Sequence, residues 1–287
     1  MTMTQFVTRF FLPALLASAT YATAIAQDVT LTILHTNDTH SRIMPLEDTD
    51  PEHPDMGGVA RREAYFEQVR AEEPNVLVFD SGDFSQGTPF YSVFKGEAEV
   101  ELMNELHYDA ATIGNHEFDY GLDNLSELVD EADFPIVSTN YDFTRTPLKG
   151  KVKRYLILRR GGLRIGVIGL GARPEGLVQA KNYEGMQFVE PYEIAEKTAH
   201  YLKHRRRCDI VVCLSHLGMD CSAVSPYCDR QLVARTSSID VVLGGHSHTY
   251  MRQPEYIYNA AGRAVPVMQN GKNGVYVGRF DLKFEKK

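Results

Sequence analysis

The chain has 287 residues and a formal net charge of −8, with 43% hydrophobic and 24% charged residues, which excludes a disordered or fibrous protein. The acidic balance argues against a nucleic-acid backbone or an anionic membrane as the main partner. It leaves a small phosphorylated substrate open, because bound metal ions can supply positive charge locally.

Arg9 precedes an apolar stretch, Phe10 to Ala19, and Ala24-Ile25-Ala26 gives a small-x-small pattern ahead of Gln27. That is the layout of a secretory signal peptide, so residues 1–26 are expected to be a leader and 27–287 the working domain. The apolar stretch falls short of the roughly 20 residues that a membrane-spanning helix needs. No cysteine precedes Cys208, so no acceptor for a lipid anchor lies near the cut. A periplasmic or secreted protein is expected, without a membrane partner. Export permits a disulfide. Cys221 and Cys228 flank the loop Ser222 to Tyr227, and a local bridge is expected there. Cys213 sits in the apolar run Ile210 to Leu214, where a buried free thiol is the commoner outcome. The spacings fit no cysteine-only zinc site, and no cysteine is given a catalytic role.

The predicted elements follow in order. Val29 to Thr36 alternates and is β-rich, giving a first strand that ends at Asn37-Asp38. Ser41 to Met56 reads as an exposed loop, and Gly57-Gly58 introduces a helix over Val59 to Glu72. Val76 to Phe79 is a buried strand ending at Asp80-Ser81-Gly82-Asp83. A loop around Gly87 and Pro89 leads to a helix near Ala98 to Leu106. Ala110 to Ile113 is a short strand, Leu122 to Glu131 a helix and Phe134 to Ser138 a strand. This recurring strand-loop-helix order predicts α/β layering. Val152 to Arg159 and Leu163 to Leu170 are strands joined at Arg160-Gly161-Gly162 as a hairpin. Pro191 opens a helix to about Arg207, whose basic end suits a helix C-terminus better than a nucleic-acid patch. Ile210 to Leu214, Val241 to Leu243, Val265 to Met268 and Val275 to Leu282 complete the strands. No repeat or linker interrupts the chain, and one domain is expected.

Five strand-to-loop breaks present metal-ligand residue types: Asn37-Asp38-Thr39-His40, Gly82-Asp83, Gly114-Asn115-His116-Glu117-Phe118-Asp119, Ser215-His216 and Gly244-Gly245-His246-Ser247-His248. Any one Asp or His here fits a plain capping or core role. Their recurrence at strand ends, where α/β proteins expose reactive side chains, favours a shared site. Asp38 and His40 are two apart, so an extended backbone would point both the same way, and His246 and His248 repeat that spacing. Asp83 and His216 stand singly, and Asn115 can offer an amide oxygen. The set exceeds one four-coordinate ion and suits two divalent ions sharing a carboxylate, zinc, manganese or a similar metal. His35 and His107 lack this context and read as core or surface residues; His53, His200 and His204 read as solvent-facing. Glu117 reads as structural.

The series Leu34-His35-Thr36-Asn37-Asp38-Thr39-His40, Asp80 to Pro89, Gly114 to Asp119 and Gly244 to His248 resembles the motifs of the secreted 5′-nucleotidase family, within the calcineurin-like metallophosphoesterases. The resemblance runs from about Val29 to the C-terminus. It implies an α/β/β/α four-layer sandwich with a dinuclear metal centre between the sheets. By similarity, Asp38, His40, Asp83 and His248 would hold one ion, and Asp83 would bridge to a second completed by Asn115, His216 and His246. His116 and Asp119 resemble the family's catalytic dyad. The implied reaction is hydrolysis of phosphate monoesters, foremost 5′-nucleotides to nucleoside and phosphate, by metal-bound hydroxide attacking phosphorus in line. Two departures stand out. Many members carry an amide where this chain has His248, and full-length nucleotidases carry a second, nucleoside-recognising domain that these 287 residues do not include. The alternatives are therefore a cyclic-nucleotide phosphodiesterase, nucleotide-sugar pyrophosphatase or sulfur-ester hydrolase on the same fold, or a metal-binding subunit that pairs with a separate recognition chain.

Overall fold

A computed structural model describes residues 28–285; the expected leader, residues 1–26, lies outside the described residues. In chain order the elements are β1 (Val29–Thr36), α1 (Val59–Glu72), β2 (Val76–Asp80), α2 (Pro89–Phe94), α3 (Glu97–Glu105), β3 (Ala110–Thr112), α4 (Gly121–Glu131), β4 (Ile136–Val137) and β5 (Tyr141–Asp142). There follow β6 (Leu156–Arg160), β7 (Leu163–Gly171), β8 (Gln187–Phe188), α5 (Pro191–His204), β9 (Ile210–His216), α6 (Asp229–Arg235), β10 (Val241–Gly244), β11 (Glu255–Tyr258), β12 (Ala264–Met268) and β13 (Gly278–Phe284). Among the described residues no helix is long and apolar enough to cross a membrane.

Two sheets carry the fold, one in the order β13-β1-β2-β3-β4 and one in the order β11-β12-β10-β9-β7-β6. Alternation along the strands divides the apolar residues into three cores. Leu31, Ile33, Leu77 and Phe79 point inward against Ile165, Val167, Val212 and Leu214 of the other sheet. Leu34 and Val78 point outward and are covered by Phe66, Val69, Val100 and Leu125 of α1, α3 and α4. Val211, Cys213 and Val242 face Ala195, Leu202 and Leu232 of α5 and α6. The layers are therefore α/β/β/α, as the motif series implied.

Within each sheet the central strands are parallel. Thr36 of β1 lies beside Asp80 of β2, and Ser215 of β9 beside Gly244 of β10. The carboxyl ends of β1, β2 and β3 and those of β9 and β10 thus open at one end of the sandwich. All five sequence stretches singled out above leave the sheets there.

The predicted first strand and first helix match to the residue, whereas the strand expected over Phe134 to Ser138 shrinks to Ile136–Val137. The helix expected to reach Arg207 stops at His204, and Arg207 has a left-handed backbone (φ 54°). Helix α2 forms where a loop is expected, although Pro89 at its first turn and the Thr88 hydroxyl accepting from Tyr91 N are an ordinary start signal. Cys221 and Cys228 are bridged, while Cys208 and Cys213 are free and buried.

Candidate metal centre

The site is built from strained turns. Asp38, His40, Asp83, His246 and His248 all have φ between 48° and 75°. For non-glycine residues that conformation costs about 1–3 kcal/mol each and persists only where the surroundings enforce it. The expectation that Asp38 and His40 converge along an extended backbone is corrected here. Two left-handed residues turn the segment after β1 back on itself, and the side chains converge by that route. His246 and His248, which share that spacing, divide between two clusters.

The first cluster joins Asp38, His40 and His248, with Asp38 Oδ1 3.9 Å from His40 Nε2 and 3.5 Å from His248 Nε2. The second joins Asp83, His216 and His246, with Asp83 Oδ2 3.0 Å from His216 Nε2. Asp83 also lies 3.7 Å from His40, so its carboxylate sits between the clusters. Asn115 is buried beside them, its N-cap position preceding a short 3₁₀ turn, His116–Phe118. The structure brings all seven expected ligand residues to one end of the sandwich.

Buried polar atoms test whether these residues suit metal ions. His40 Nε2, His216 Nε2 and Asn115 Oδ1 are fully covered by protein yet have no hydrogen-bond partner. An orphaned buried polar group costs about 1–3 kcal/mol, and three in one place call for a common occupant. His216 sharpens the point. Its Nδ1 donates to Ser81 O at 2.8 Å, leaving the Nε2 lone pair aimed at the Asp83 carboxylate. Two electron-rich atoms face each other unless a cation lies between them. A proton is one solution: burial lowers the His216 pKa, but Asp83 and Asp38 override it and lift the value to about 10. A divalent ion resolves the same conflict by taking the proton's place. His246 and His248 fall to about 4, through burial first and then neighbouring imidazoles, so both are neutral and ready to ligate at ordinary pH. Burial would raise the Asp83 pKa, yet His216 and His40 hold it well below the usual carboxylate range. Asp38 rises to about 6, because burial outweighs His216. Two carboxylates, four imidazoles and an amide oxygen form a donor set suited to two divalent cations.

Glu117 fixes the first-sheet turns. Its buried carboxylate accepts from Asp83 N (2.9 Å), Ser85 N (3.1 Å) and Gly114 N (2.6 Å), pinning two ligand loops together. Gly114 is required at this crossing: a Cβ there would meet the Asp83 carboxylate and stand 2.6 Å from its backbone nitrogen. On the other side, His246 N donates to Asp38 Oδ2 at 3.0 Å, joining the turn after β10 to that after β1. Ser247 Oγ donates to Gln269 Oε1 (2.9 Å) and accepts from Met219 N (3.0 Å). Ser81, Gln269 and Ser225, whose Oγ lies 3.1 Å from His246 Nε2, were missed in the sequence. Their residue types carry no signal outside the fold.

His116 also groups with His40 and Asp83, but its bonding differs from that of the other histidines. Its backbone N–H donates to Asp83 Oδ1 (2.8 Å), while its ring Nδ1 lies 2.9 Å from Asp119 Oδ2. The side chain is about a quarter exposed, at 25%. Burial lowers its pKa, but the Asp119 hydrogen bond and the charge of Asp83 prevail and raise it. Tyr91 Oη donates to the His116 carbonyl at 3.1 Å, and Asn182 Nδ2 to the Asp119 carbonyl at 2.8 Å. Of the remaining histidines, His35 is wholly buried and His107, His200 and His204 are exposed, whereas His53, expected to face solvent, is half-buried.

Paired buried carboxylates among clustered imidazoles, at the carboxyl ends of two facing sheets, define the metallophosphoesterase class. The chain belongs to the calcineurin-like phosphoesterase family, whose profile matches residues 31–250. It is similar to human 5′-nucleotidase, at 32% identity over 90% of this chain and 47% of that protein. Among solved structures it resembles a 5′-nucleotidase precursor from Thermus thermophilus (35% identity, TM-score 0.81), covering 90% of this chain and 52% of that one. It also resembles the calcineurin-like phosphoesterase YfkN from Bacillus subtilis (30% identity, TM-score 0.76), covering 91% and 87% respectively. The chain spans about half the length of the curated nucleotidases it matches.

Proposed function

We propose that the chain hydrolyses phosphate monoesters with two divalent ions, zinc, manganese or similar, and that 5′-nucleotides are its foremost substrates. The observation that carries this reading is the Asp83 carboxylate between two clusters whose buried ligand atoms, His40 Nε2, His216 Nε2 and Asn115 Oδ1, have no partner. Asp38, His40, Asp83 and His248 would hold one ion, and Asp83, Asn115, His216 and His246 the other. When bound, such ions neutralise phosphate oxygens and acidify a water that can attack phosphorus.

The remaining work falls to the protein's own groups. Asp119 accepts from Nδ1–H of His116, which fixes the ring and leaves Nε2 to face the substrate. A protonated Nε2 stabilises charge on the transferring phosphoryl group and can pass its proton to the leaving oxygen. Asp83 raises the proton affinity of that ring through its charge and fixes the His116 backbone by accepting its N–H. Glu117 holds the loops that carry both residues in register.

Residues 1–26 as a cleaved leader, and a periplasmic or secreted location, belong to the same proposal; the Arg9, apolar and Ala24-Ile25-Ala26 pattern supports them. N-terminal sequencing of exported protein should begin at Gln27. A panel of nucleotides and other phosphate esters, assayed with metal-loaded and chelated protein, tests the activity. Turnover that requires metal and favours 5′-nucleotides is the expected result. Absence of turnover with zinc, manganese, cobalt and magnesium alike would overturn it.

A further inference from the structure

The disulfide-closed loop between β9 and α6 reaches back over the second cluster. Ser225 is the half-buried residue of an otherwise exposed stretch, Cys221 to Pro226, and its Oγ lies 3.1 Å from His246 Nε2. The loop holds Ser225 by its own turn: Ser222 N donates to Ser225 O (2.9 Å), and Ser225 N donates to Ser222 Oγ (3.0 Å). Cys228 is buried, and its N–H donates to Tyr192 Oη at 2.9 Å, which fixes the far end of the loop. The bridge from Cys228 to Cys221 then fixes the near end.

The geometry points to Ser225 as a positioning residue for the metal ligand His246, held in place by the Cys221–Cys228 loop. This rests on the two-ion reading above and extends it. An imidazole ligates through one nitrogen, and the hydrogen bond made by the other decides which. With Nε2–H donating to the Ser225 hydroxyl, Nδ1 carries the lone pair that is left to ligate in the cluster with Asp83 and His216. Removing the hydroxyl frees the ring to turn and to exchange tautomers, so the second ion loses affinity while the first keeps it. Outer partners of metal-bound histidines are worth about 10–100-fold in metal affinity, and a loss in that range is expected here. The serine acts only through His246, and the bridge acts only through the serine.

The test is a chelator-competition titration of the intact protein that resolves the two metal affinities, with elemental analysis for stoichiometry. Ser225→Ala, with the disulfide intact, should weaken the second equivalent about 10–100-fold and leave the first unchanged. Ser225→Thr, which keeps a hydroxyl, should restore most of the loss; a merely steric role would not distinguish the two. The double variant Cys221→Ser with Cys228→Ser should weaken the same equivalent, since the loop then no longer holds Ser225 in register. A parent protein that binds fewer than two ions would overturn the two-ion reading and this inference together. A parent that binds two, with both affinities unchanged in Ser225→Ala, would overturn this inference alone.

Discussion

The two sheets meet at the centre with different equipment. The turns after β1, β2 and β3 bring Asp38, His40, Asp83, Asn115 and the His116–Asp119 pair, whereas β9 and β10 bring only imidazoles, His216, His246 and His248. The anionic half is buried and braced by backbone donors: Asp38 and Asp83 are 0% and 2% exposed, and Glu117 accepts three N–H groups beneath them. The imidazole half is braced by neutral groups, Ser81, Ser225, Ser247 and Gln269. A buried carboxylate needs donors already pointed at it, because an unpaired charge is far costlier than an unpaired dipole. Imidazoles tolerate looser surroundings because they can be buried neutral. Carboxylates are therefore concentrated on one side, and the orientation of the imidazoles opposite is left to hydroxyl and amide partners.

The largest test of this division is Asp83→Asn. If this carboxylate is shared, the variant should lose both metal equivalents by elemental analysis, and turnover should fall to that of chelated protein. Retention of one equivalent would mean that Asp83 serves a single ion. His116→Ala probes the same half without touching a ligand. Both equivalents should remain while turnover falls about 10²–10⁴-fold, the usual worth of a positioned acid–base group. A lost equivalent would instead make His116 a ligand, as its grouping with His40 and Asp83 permits.

The bracing residues come next in size. Glu117→Gln replaces an acceptor-only carboxylate with an amide that brings its own donors against three buried N–H groups. The folded state should lose about 1–3 kcal/mol, read from denaturant midpoints of the metal-free protein. Ser247→Ala on the other half removes one neutral hydrogen-bonding group between Gln269 and Met219, and should cost about 1 kcal/mol. If Ser247→Ala proves as damaging as Glu117→Gln, the contrast between a buried carboxyl brace that accepts three N–H groups and a single hydroxyl brace is wrong.

How far the sequence revealed this arrangement follows the same contrast. Apolar alternation and strand-end position singled out the seven candidate ligand residues and the α/β layering, because both are local properties of the chain. The grouping was not local. Spacing alone left open how His246 and His248 divide, and the left-handed backbone at both, with φ of 75° and 54°, sends them to different clusters. Partners from distant segments hold this turn: His246 N donates to Asp38, and Gln269 Oε1 accepts from Ser247 Oγ and Thr249 N. Glu117 could be read as structural, but its three partners lie on two loops that only the fold brings together. Ser225 was legible only as part of a cysteine-flanked loop.

A second carboxylate in the imidazole half tests whether burial is what gives Glu117 its weight. Glu196 of α5 accepts from Ser237 N (2.8 Å), Ser237 Oγ (2.7 Å), Ser238 N (3.1 Å) and Ser238 Oγ (2.9 Å), bracing the approach to β10. It makes more bonds than Glu117 but stands half in solvent. Burial pushes its pKa up, the four bonds outweigh that, and the net direction is downward. A carboxyl group whose folded pKa is depressed adds stability that is present above its unfolded pKa and fades as pH falls through the folded value. Glu196→Gln should therefore destabilise the protein at neutral pH and match the parent once both are acidified below that range. Solvent screening should keep the neutral-pH loss to roughly 0.5 kcal/mol or less, several times smaller than for Glu117→Gln. Denaturant midpoints at a series of pH values provide the measurement. A loss at neutral pH equal to that of Glu117→Gln would show that the number of donors, and not burial, sets the strength of these braces.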